Sequence, residues 1–180
     1  MSLLALELPR PLPGWLPDET LFSLASRFHV LSGNRLPSMT CQALFGSVRR
    51  GCEHDFPTRL SELSRRTLGL LGEAEAIART RTLLPFYLPM KPVAVAESAI
   101  AALMDSPMGN LKFQLGILTS RFRANHPLKA CPVCMISDRA AFGTPYWHLT
   151  HQFPGVWNCY RRTIKSVPDH LEVAYERGDS

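Results

Sequence analysis

The sequence lacks any apolar run that approaches the roughly 20 residues needed to span a bilayer. Its longest apolar stretch, residues 93–104, is interrupted by Glu97 and Ser98. The N-terminus also lacks the basic start of a secretory signal, because it turns Pro-rich and acidic within a few residues. We therefore expect a cytoplasmic protein with no membrane partner.

Signatures of catalysis and of a disulfide framework are also missing. No nucleophile-turn motif of the G-x-S-x-G type occurs, and no acidic residue accompanies the cysteines in the arrangement of a zinc hydrolase. We expect no enzyme. The chain has five cysteines, an odd number, and in a reducing compartment this favours metal ligation or buried thiols over disulfides.

What the chain does have is a basic balance dominated by arginine. The net charge is +5, and 16 of the 20 basic residues are Arg, whose guanidinium pairs with phosphate through two hydrogen bonds. Such a charge serves solubility as readily as nucleic-acid binding, so each basic pair has an alternative interpretation as a solvated surface. The candidates for contact with a DNA backbone are Arg49, Arg50, Arg65, Arg66, Arg121, Arg123, Arg161, Arg162 and Lys165.

The spacing of apolar residues predicts a mainly α protein. After a Pro-rich stretch, Asp18 is expected to cap a first helix that ends before Gly33. Ser38 is expected to cap a short second helix ending at Gly46. Two short helices joined by a turn favour a helix-turn-helix-like unit, although any small helical bundle would show the same pattern.

Further helices are predicted over 56–70, with Leu70 facing inward, and over 73–81, 93–104 and 110–122, with a bend at Gly116. The Pro-rich stretch 82–92 is expected to be an irregular connector. The predicted organisation is an extended arm at 1–17, a helical domain at 18–125, and a small zinc-ribbon-like module with few helices at 126–180. Exposed aromatic side chains for docking a partner protein are expected at Trp15, Phe86 and Tyr87.

The segment 129–165 begins like a zinc module. Cys131 and Cys134 form a C-P-x-C knuckle, and Cys159 follows after 24 residues. The position of a fourth ligand holds Arg162, whose guanidinium has no lone pair to offer. Three interpretations stay open: a zinc ion whose fourth ligand is His151 or another group, a metal-free module held by its aromatic core, or incidental cysteines.

Several motifs in one order resemble the TniQ/TnsD family of transposon target-selection proteins. They are the opening "LPDETLFSLASRFHVLSGN", the stretch "RTRTLLPFYLPMKP", the helix "GNLKFQLGILTSRF" and the pattern "LKACPVC…D…FG.PYWHLTHQFPGVWNC". Together they run from about residue 8 to residue 165. The match breaks at Arg162, where the family has the histidine of a Cys-x-x-His pair, and this departure bears on the metal but not on the fold.

The resemblance implies a protein that marks where a transposon inserts. Its family combines a helix-turn-helix-like region with a zinc-ribbon region, binds target DNA or an RNA-guided complex, and recruits an AAA+ transposition regulator. By residue match, the zinc ligands would be Cys131, Cys134 and Cys159. The alternative is a metal-free protein–protein adaptor with no direct DNA binding.

Overall fold

The computed structural model describes residues 11–105, 111–117 and 127–159, and the backbone of 165–166. Helices dominate these ranges, which confirms the mainly α prediction. The helices are α1 (Leu21–Leu31), α2 (Pro37–Phe45), α3 (Leu60–Arg66), α4 (Ala74–Thr80), α5 (Leu84–Tyr87), α6 (Val93–Met104), α7 (Leu111–Gln114), α8 (Pro132–Phe142) and α9 (Leu149–Gln152). Strands β1 (Lys129–Ala130) and β2 (Lys165–Ser166) pair antiparallel. Across the described ranges, every helix is too short or too polar to cross a membrane.

The first two helices form as a pair, but their N-terminal caps differ from the prediction. Thr20, not Asp18, caps α1, and its Oγ1 accepts a hydrogen bond of 3.1 Å from the Ser23 amide. Asp18 instead has φ +57°, and its carboxylate accepts hydrogen bonds from Thr150. Ser38 is not a cap either, because Pro37 already occupies the first turn of α2, where its missing N–H does no harm.

The ends of these helices follow the prediction. Gly33 and Gly46 both have φ of +64°, in the left-handed region that glycine tolerates. The loop after α2 then passes close to the core. At Gly51, with φ +102°, an added Cβ would lie 2.2 Å from Cγ of the buried Phe45 ring. Only glycine lets the backbone approach the ring this closely.

Helix α3 is shorter than predicted. It begins at Leu60 and ends at Arg66, because Leu68 and Gly69 take left-handed backbone angles that stop the helical periodicity. Leu70 was expected to face inward but is 67% exposed, so that prediction is wrong. Helix α4 lies within one residue of its predicted bounds.

One main apolar core is enclosed by α1 to α7 and reaches α9. Its fully buried side chains include Phe28, Phe45, Phe56, Leu24, Leu44, Leu60, Leu63, Ile77, Leu84 and Leu103. Helix α6 has the predicted bounds. Within the described residues the helix predicted over 110–122 is shorter than expected, because α7 ends at Gln114 and Gly116, with φ +72°, lies in the turn that follows. Residues 110 and 118–122 of that predicted helix lie outside the described residues.

The Pro-rich connector is more ordered than predicted. It contains α5 and a 3₁₀ turn at Leu88–Met90. Tyr87 was expected to be exposed, but it is buried, with its ring 5.9 Å from that of Phe56. Phe86 is half-buried and stacks on Phe153 with ring centroids 5.7 Å apart. The expectation of exposed aromatic side chains is therefore wrong for Tyr87.

The cysteine-containing segment holds a helix that the sequence interpretation missed. Helix α8 has Pro132 at its first turn, and Gly143, with φ +78°, ends it. These are ordinary start and stop signals, but we had expected few helices in this segment. The segment packs on the helical body through a second apolar cluster of Phe22, Leu128 and Trp147.

Candidate metal centre

Three cysteine thiols meet where α8 begins. Cys131 precedes the helix, Cys134 lies in its first turn, and Cys159 approaches from the loop after α9. The three Sγ atoms lie within 4.8 Å of one another, and those of Cys134 and Cys159 are 3.6 Å apart. A tetrahedral zinc ion with Zn–S bonds of about 2.3 Å separates its sulfur ligands by roughly 3.8 Å. The cluster therefore fits a metal ion in both spacing and chemistry.

Burial sets the protonation of Cys134 in the absence of a metal. Cys131 and Cys134 are buried among apolar neighbours, including Val133 and Val156. Burial, reinforced by hydrogen bonding with Cys159 and Cys131, raises the pKa of the Cys134 thiol to about 12. The metal-free thiol is thus protonated at neutral pH, and a bound cation would have to displace that proton.

A cavity of about 430 Å³ adjoins the thiols. Cys134 and Cys159 lie on one side of it, and the wall also includes Asp138, His148 and His151. His151 was the sequence candidate for the fourth ligand. Among the described residues, the group with ligand atoms within 4.8 Å of one another consists of the three cysteines, so His151 stands outside it.

The His151 ring is held by packing. It is 7% exposed and lies against the ring of His148, with centroids 4.8 Å apart. Burial, together with the nearby charge of His148, lowers the pKa of His151 below its usual value. His151 is therefore a neutral imidazole at physiological pH.

His148 connects the cysteine module to the N-terminal segment. Its Nε2 lies 2.8 Å from Oδ2 of Asp138, and its Nδ1 lies 3.7 Å from Oδ2 of Asp18. Although burial alone would lower it, the pKa of His148 is raised because the neighbouring carboxylates of Asp18 and Asp138 favour the charged ring. The backbone continues the connection, since the Leu149 amide donates to the Asp18 carbonyl at 2.6 Å.

A buried carboxylate organises the same junction. Glu19 is fully buried, and its oxygens accept hydrogen bonds from Arg27 at 2.8 and 3.0 Å and from the Ser23 hydroxyl at 2.9 Å. The Ser23 hydroxyl oxygen in turn accepts from the Trp147 amide at 3.1 Å. The Thr20 amide donates to the Trp147 carbonyl at 3.0 Å. The start of α1 and the cysteine module are therefore joined by main-chain and side-chain hydrogen bonds.

Lys129 and Gln152 hold the loop that leads to Cys159. The Gln152 amide group both accepts from the Lys129 backbone N–H at 2.9 Å and donates to the Lys129 carbonyl at 2.8 Å. The Lys129 ammonium donates to the carbonyls of Phe153 and Val156 at 2.6 and 3.0 Å. Burial lowers the pKa of Lys129 to about 8. Lys129 therefore stabilises the conformation of this loop.

The sequence interpretation identified the three thiols but not the polar residues around them. Asp18 was assigned to a helix cap, and the role of Asp138 beside His148 was not recognised. One signal was available, because the family pattern places an acidic residue soon after the knuckle, where this chain has Asp138. No local pattern pairs Asp18 with a residue 130 positions later.

The predicted DNA-contacting residues lie at separate places. Arg49 and Arg50 are exposed in the loop after α2. Arg65 and Arg66 both pair with Glu62, the first at 2.7 Å. The other predicted residues cannot be placed in the same way. Arg121, Arg123, Arg161 and Arg162 lie outside the described residues, and only the backbone of Lys165 is described.

Trp15, predicted to bind a partner, is engaged within the molecule. Its Nε1 donates to the Leu71 carbonyl at 2.8 Å, and the Arg81 guanidinium lies 4.5 Å from the centre of its ring. Leu12 also packs against the main core. The described part of the predicted arm, residues 11–17, thus folds onto the helical body, whereas residues 1–10 lie outside the described ranges.

Comparison with known proteins gives two matches. The family model described as TniQ matches residues 11–164. The Transposon Tn7 transposition protein TnsD of Escherichia coli is 22% identical to the chain over 168 residues, which cover 89% of this chain and 33% of that protein. The chain thus spans about a third of the length of this curated relative.

The two carboxylates beside His148 predict a change in the pKa of its ring that can be measured. We expect the Asp138→Asn variant to lower the pKa of His148, because it removes one of the two carboxylates that favour the charged imidazole. Because the pKa of His148 is raised in the folded state, its charged ring stabilises the fold. This stabilisation is complete below about pH 6.5, the usual pKa of histidine, and it is lost as the pH rises through the folded-state pKa. The stability difference between wild type and variant should therefore shrink at higher pH.

Histidine NMR titration and denaturation at several pH values would test this prediction. His29 is the internal control, because its Nδ1 contacts Thr40 at 2.8 Å, on another part of the molecule. A His148 titration that is the same in wild type and variant would contradict the assignment.

Proposed function

The chain belongs to the TniQ family, and from this premise we propose that it is a non-catalytic adaptor in the selection of transposition targets. In this role it binds target DNA or a targeting complex and recruits an AAA+ transposition regulator. The observation that carries the proposal is the TniQ match over residues 11–164, which includes nearly all of the described structure. The similarity to a Tn7 transposition protein supports the same process.

The metal proposed for the cysteine cluster is zinc. Zinc favours thiolate ligands in tetrahedral structural sites, and the observed spacing of the thiols suits such a site. Cys131 and Cys134 lie at the start of α8, and Cys159 lies in the separate stretch after α9, so an ion bound by all three would link these segments. Its role would be structural, because it would hold the module together rather than activate a substrate.

We expect the purified protein to contain about one equivalent of zinc. Cys134→Ser should lose the metal and lower the melting temperature, because it removes a thiolate ligand from the buried cluster. Cys52→Ser is the matched control, since Cys52 lies outside the cluster, and it should retain the metal. Metal analysis and thermal denaturation measure both effects. Wild-type protein that is metal-free and melts like Cys134→Ser would support the alternative, an adaptor without metal.

Contact with DNA is proposed for the loop that follows α2. Arg49 and Arg50 are exposed there, beside the helix-turn-helix-like pair α1 and α2. Within the described ranges, neither guanidinium has a carboxylate partner. Arg65 and Arg66, by contrast, share the carboxylate of Glu62, so part of their charge is already balanced. Arginines without a carboxylate partner are suited to contact the phosphates of DNA. Such contacts give affinity but do not discriminate between base sequences.

We expect binding to random duplex DNA to weaken steeply with salt. An Arg49→Ala/Arg50→Ala variant should bind more weakly and reduce the slope of log affinity against log salt by about two, because each phosphate contact contributes about 0.9. Arg79→Ala is the matched control, since Arg79 pairs with Glu75 at 2.8 Å. Fluorescence anisotropy at several salt concentrations gives the slope. Absent or salt-insensitive binding would favour the adaptor that does not touch DNA.

Recruitment of the regulator is proposed for an apolar surface at residues 86–93, which contains the predicted partner residue Phe86. Met90 and Val93 are 70% and 73% exposed, and Pro89 and Pro92 beside them are also exposed. Neighbouring apolar side chains left in solvent are typical of a protein-binding surface. Because Trp15 and Tyr87 are engaged within the fold, we assign the docking role to the exposed residues of the 86–93 surface, which are Pro89, Met90, Pro92 and Val93.

We expect a Met90→Asp/Val93→Asp variant to lose co-purification with the AAA+ regulator of the same transposon. The added carboxylates would have to be desolvated at the interface, whereas in the free protein they remain in water. Leu70→Asp is the matched control, because Leu70 is similarly exposed at 67% but lies elsewhere in the chain. Equal recovery of the regulator with both variants would contradict the assignment.

A further inference from the structure

A second cavity, of about 490 Å³, opens between α1, α2 and the loop that follows α2. This volume is in the range of pockets that bind small ligands. Its lining includes His29 from α1, Thr40 from α2, and Arg49 and Glu53 from the loop, and it contains no member of the cysteine cluster. The groups in this lining that remain without partners indicate what kind of ligand the cavity can hold.

The buried imidazole of His29 has one ring nitrogen engaged and one open. The residue is 8% exposed, and its Nδ1 lies 2.8 Å from the Thr40 hydroxyl oxygen. Within the described ranges, Nε2 has no hydrogen-bond partner. Burial lowers the pKa of His29 below its usual value, so the ring is neutral at physiological pH and carries a single proton. The nitrogen that holds this proton decides whether the ring offers a donor or an acceptor to a ligand.

Neighbouring hydrogen bonds assign the proton to Nε2. The Ser32 hydroxyl donates to the Phe28 carbonyl, so its oxygen accepts from Nδ2 of Asn34, at 3.4 Å. The same Nδ2 donates to Thr40 Oγ1 at 3.0 Å. The Thr40 hydroxyl therefore directs its own hydrogen to Nδ1 of His29, which is its other partner in the described structure. An imidazole that accepts at Nδ1 is protonated at Nε2, and a buried N–H without an acceptor favours a ligand that supplies one.

Two charged groups of the lining are also open to a ligand. Arg49 is exposed, and its guanidinium has no carboxylate partner in the described part of the chain. One carboxylate oxygen of Glu53 accepts a backbone hydrogen bond at 2.9 Å, whereas its other oxygen has no described partner. The remaining charges, Asp55 and Lys112, pair with each other at 2.6 Å. A matching ligand carries an anionic group for Arg49, an acceptor for His29 and a donor for Glu53.

A nucleotide has this combination of groups. Its phosphate is an anion that pairs with arginine, and the edge of its base carries both donors and acceptors. Arg49 belongs to the cavity and also to the loop proposed above to contact DNA, which favours a nucleotide over a peptide with similar groups. A base that is stacked and paired within a duplex cannot enter a cavity, so the nucleotide must be unpaired.

We propose that this cavity binds one unpaired nucleotide of the target DNA, with the base against His29 and the phosphate on Arg49. The inference rests on the DNA contact proposed above and extends it from the loop surface into the cavity. The protein would then recognise DNA at a point where the duplex is distorted or opened, through a base that has left the stack.

Two duplexes that differ by one extra, unpaired nucleotide test this inference. We expect a duplex with a single-nucleotide bulge to bind about tenfold more tightly than the fully paired duplex, because each base bound on a protein surface adds to the affinity. His29→Phe keeps an aromatic ring but removes the N–H, so it should reduce this preference by about threefold or more. Its binding to the paired duplex should be unchanged, which is the control for folding. Fluorescence anisotropy at constant salt measures all four affinities.

A second measurement uses the wild-type protein alone. Nitrogen NMR of the histidine side chains distinguishes the two tautomers, and we expect His29 to be protonated at Nε2. Its ring signals should change when the bulged duplex is added and not when the paired duplex is added.

Several results would overturn the inference while leaving the DNA contact intact. These are equal binding of the two duplexes, and a His29 ring protonated at Nδ1. A His29 signal that responds to the AAA+ regulator and not to bulged DNA would also overturn it, because the cavity would then hold a segment of a partner protein. Absent binding to both duplexes would instead remove the proposed DNA contact, and the inference with it.

Discussion

The structure depends on the burial of one charged side chain, Glu19. A carboxylate withdrawn from water is costly unless its oxygens are fully bonded, and here Arg27, the Ser23 hydroxyl and the Leu16 amide all donate to it. These donors come from the N-terminal segment and from α1, so the carboxylate fixes the angle at which the segment enters the helix. Through Ser23, the same arrangement reaches the backbone of Trp147 in the cysteine module.

Several of the residues by which the chain resembles its family make this junction. In "LPDETLFSLASR", Glu19, Ser23 and Arg27 are four residues apart, so they lie on one face of a helical repeat and meet at one point. In "HQFPG", Gln152 fixes the backbone of Lys129. In this chain these motif residues therefore hold the N-terminal segment, α1 and the cysteine module together.

Sequence patterns predicted what depends on local spacing. The bounds of α6, the glycine ends of α1 and α2, and the proximity of Cys131 to Cys134 follow from periodicity or motif spacing, whereas the family resemblance added Cys159 to that pair. Contacts between distant segments could not be predicted in this way. Aspartate is a residue type that commonly caps helices, but the Asp18 carboxylate accepts a hydrogen bond from the amide of Thr150, 132 residues away. Similarly, Tyr87 sits in a Pro-rich stretch that appears irregular, yet tertiary packing against Phe56 buries it.

The pairing of residues 18–20 with residues 147–149 has a consequence for how the chain is made. A ribosome releases the N-terminal segment well over a hundred residues before its partner, and chains fold as they emerge. Glu19, Ser23 and Arg27 can meet early because they are close in sequence, so α1 can form while the Thr20 amide still lacks its acceptor and the Asp18 carbonyl still lacks its donor. Closing this long loop therefore has to wait until residues 147–149 are available, and it carries the entropic cost of bringing together segments that are distant in sequence.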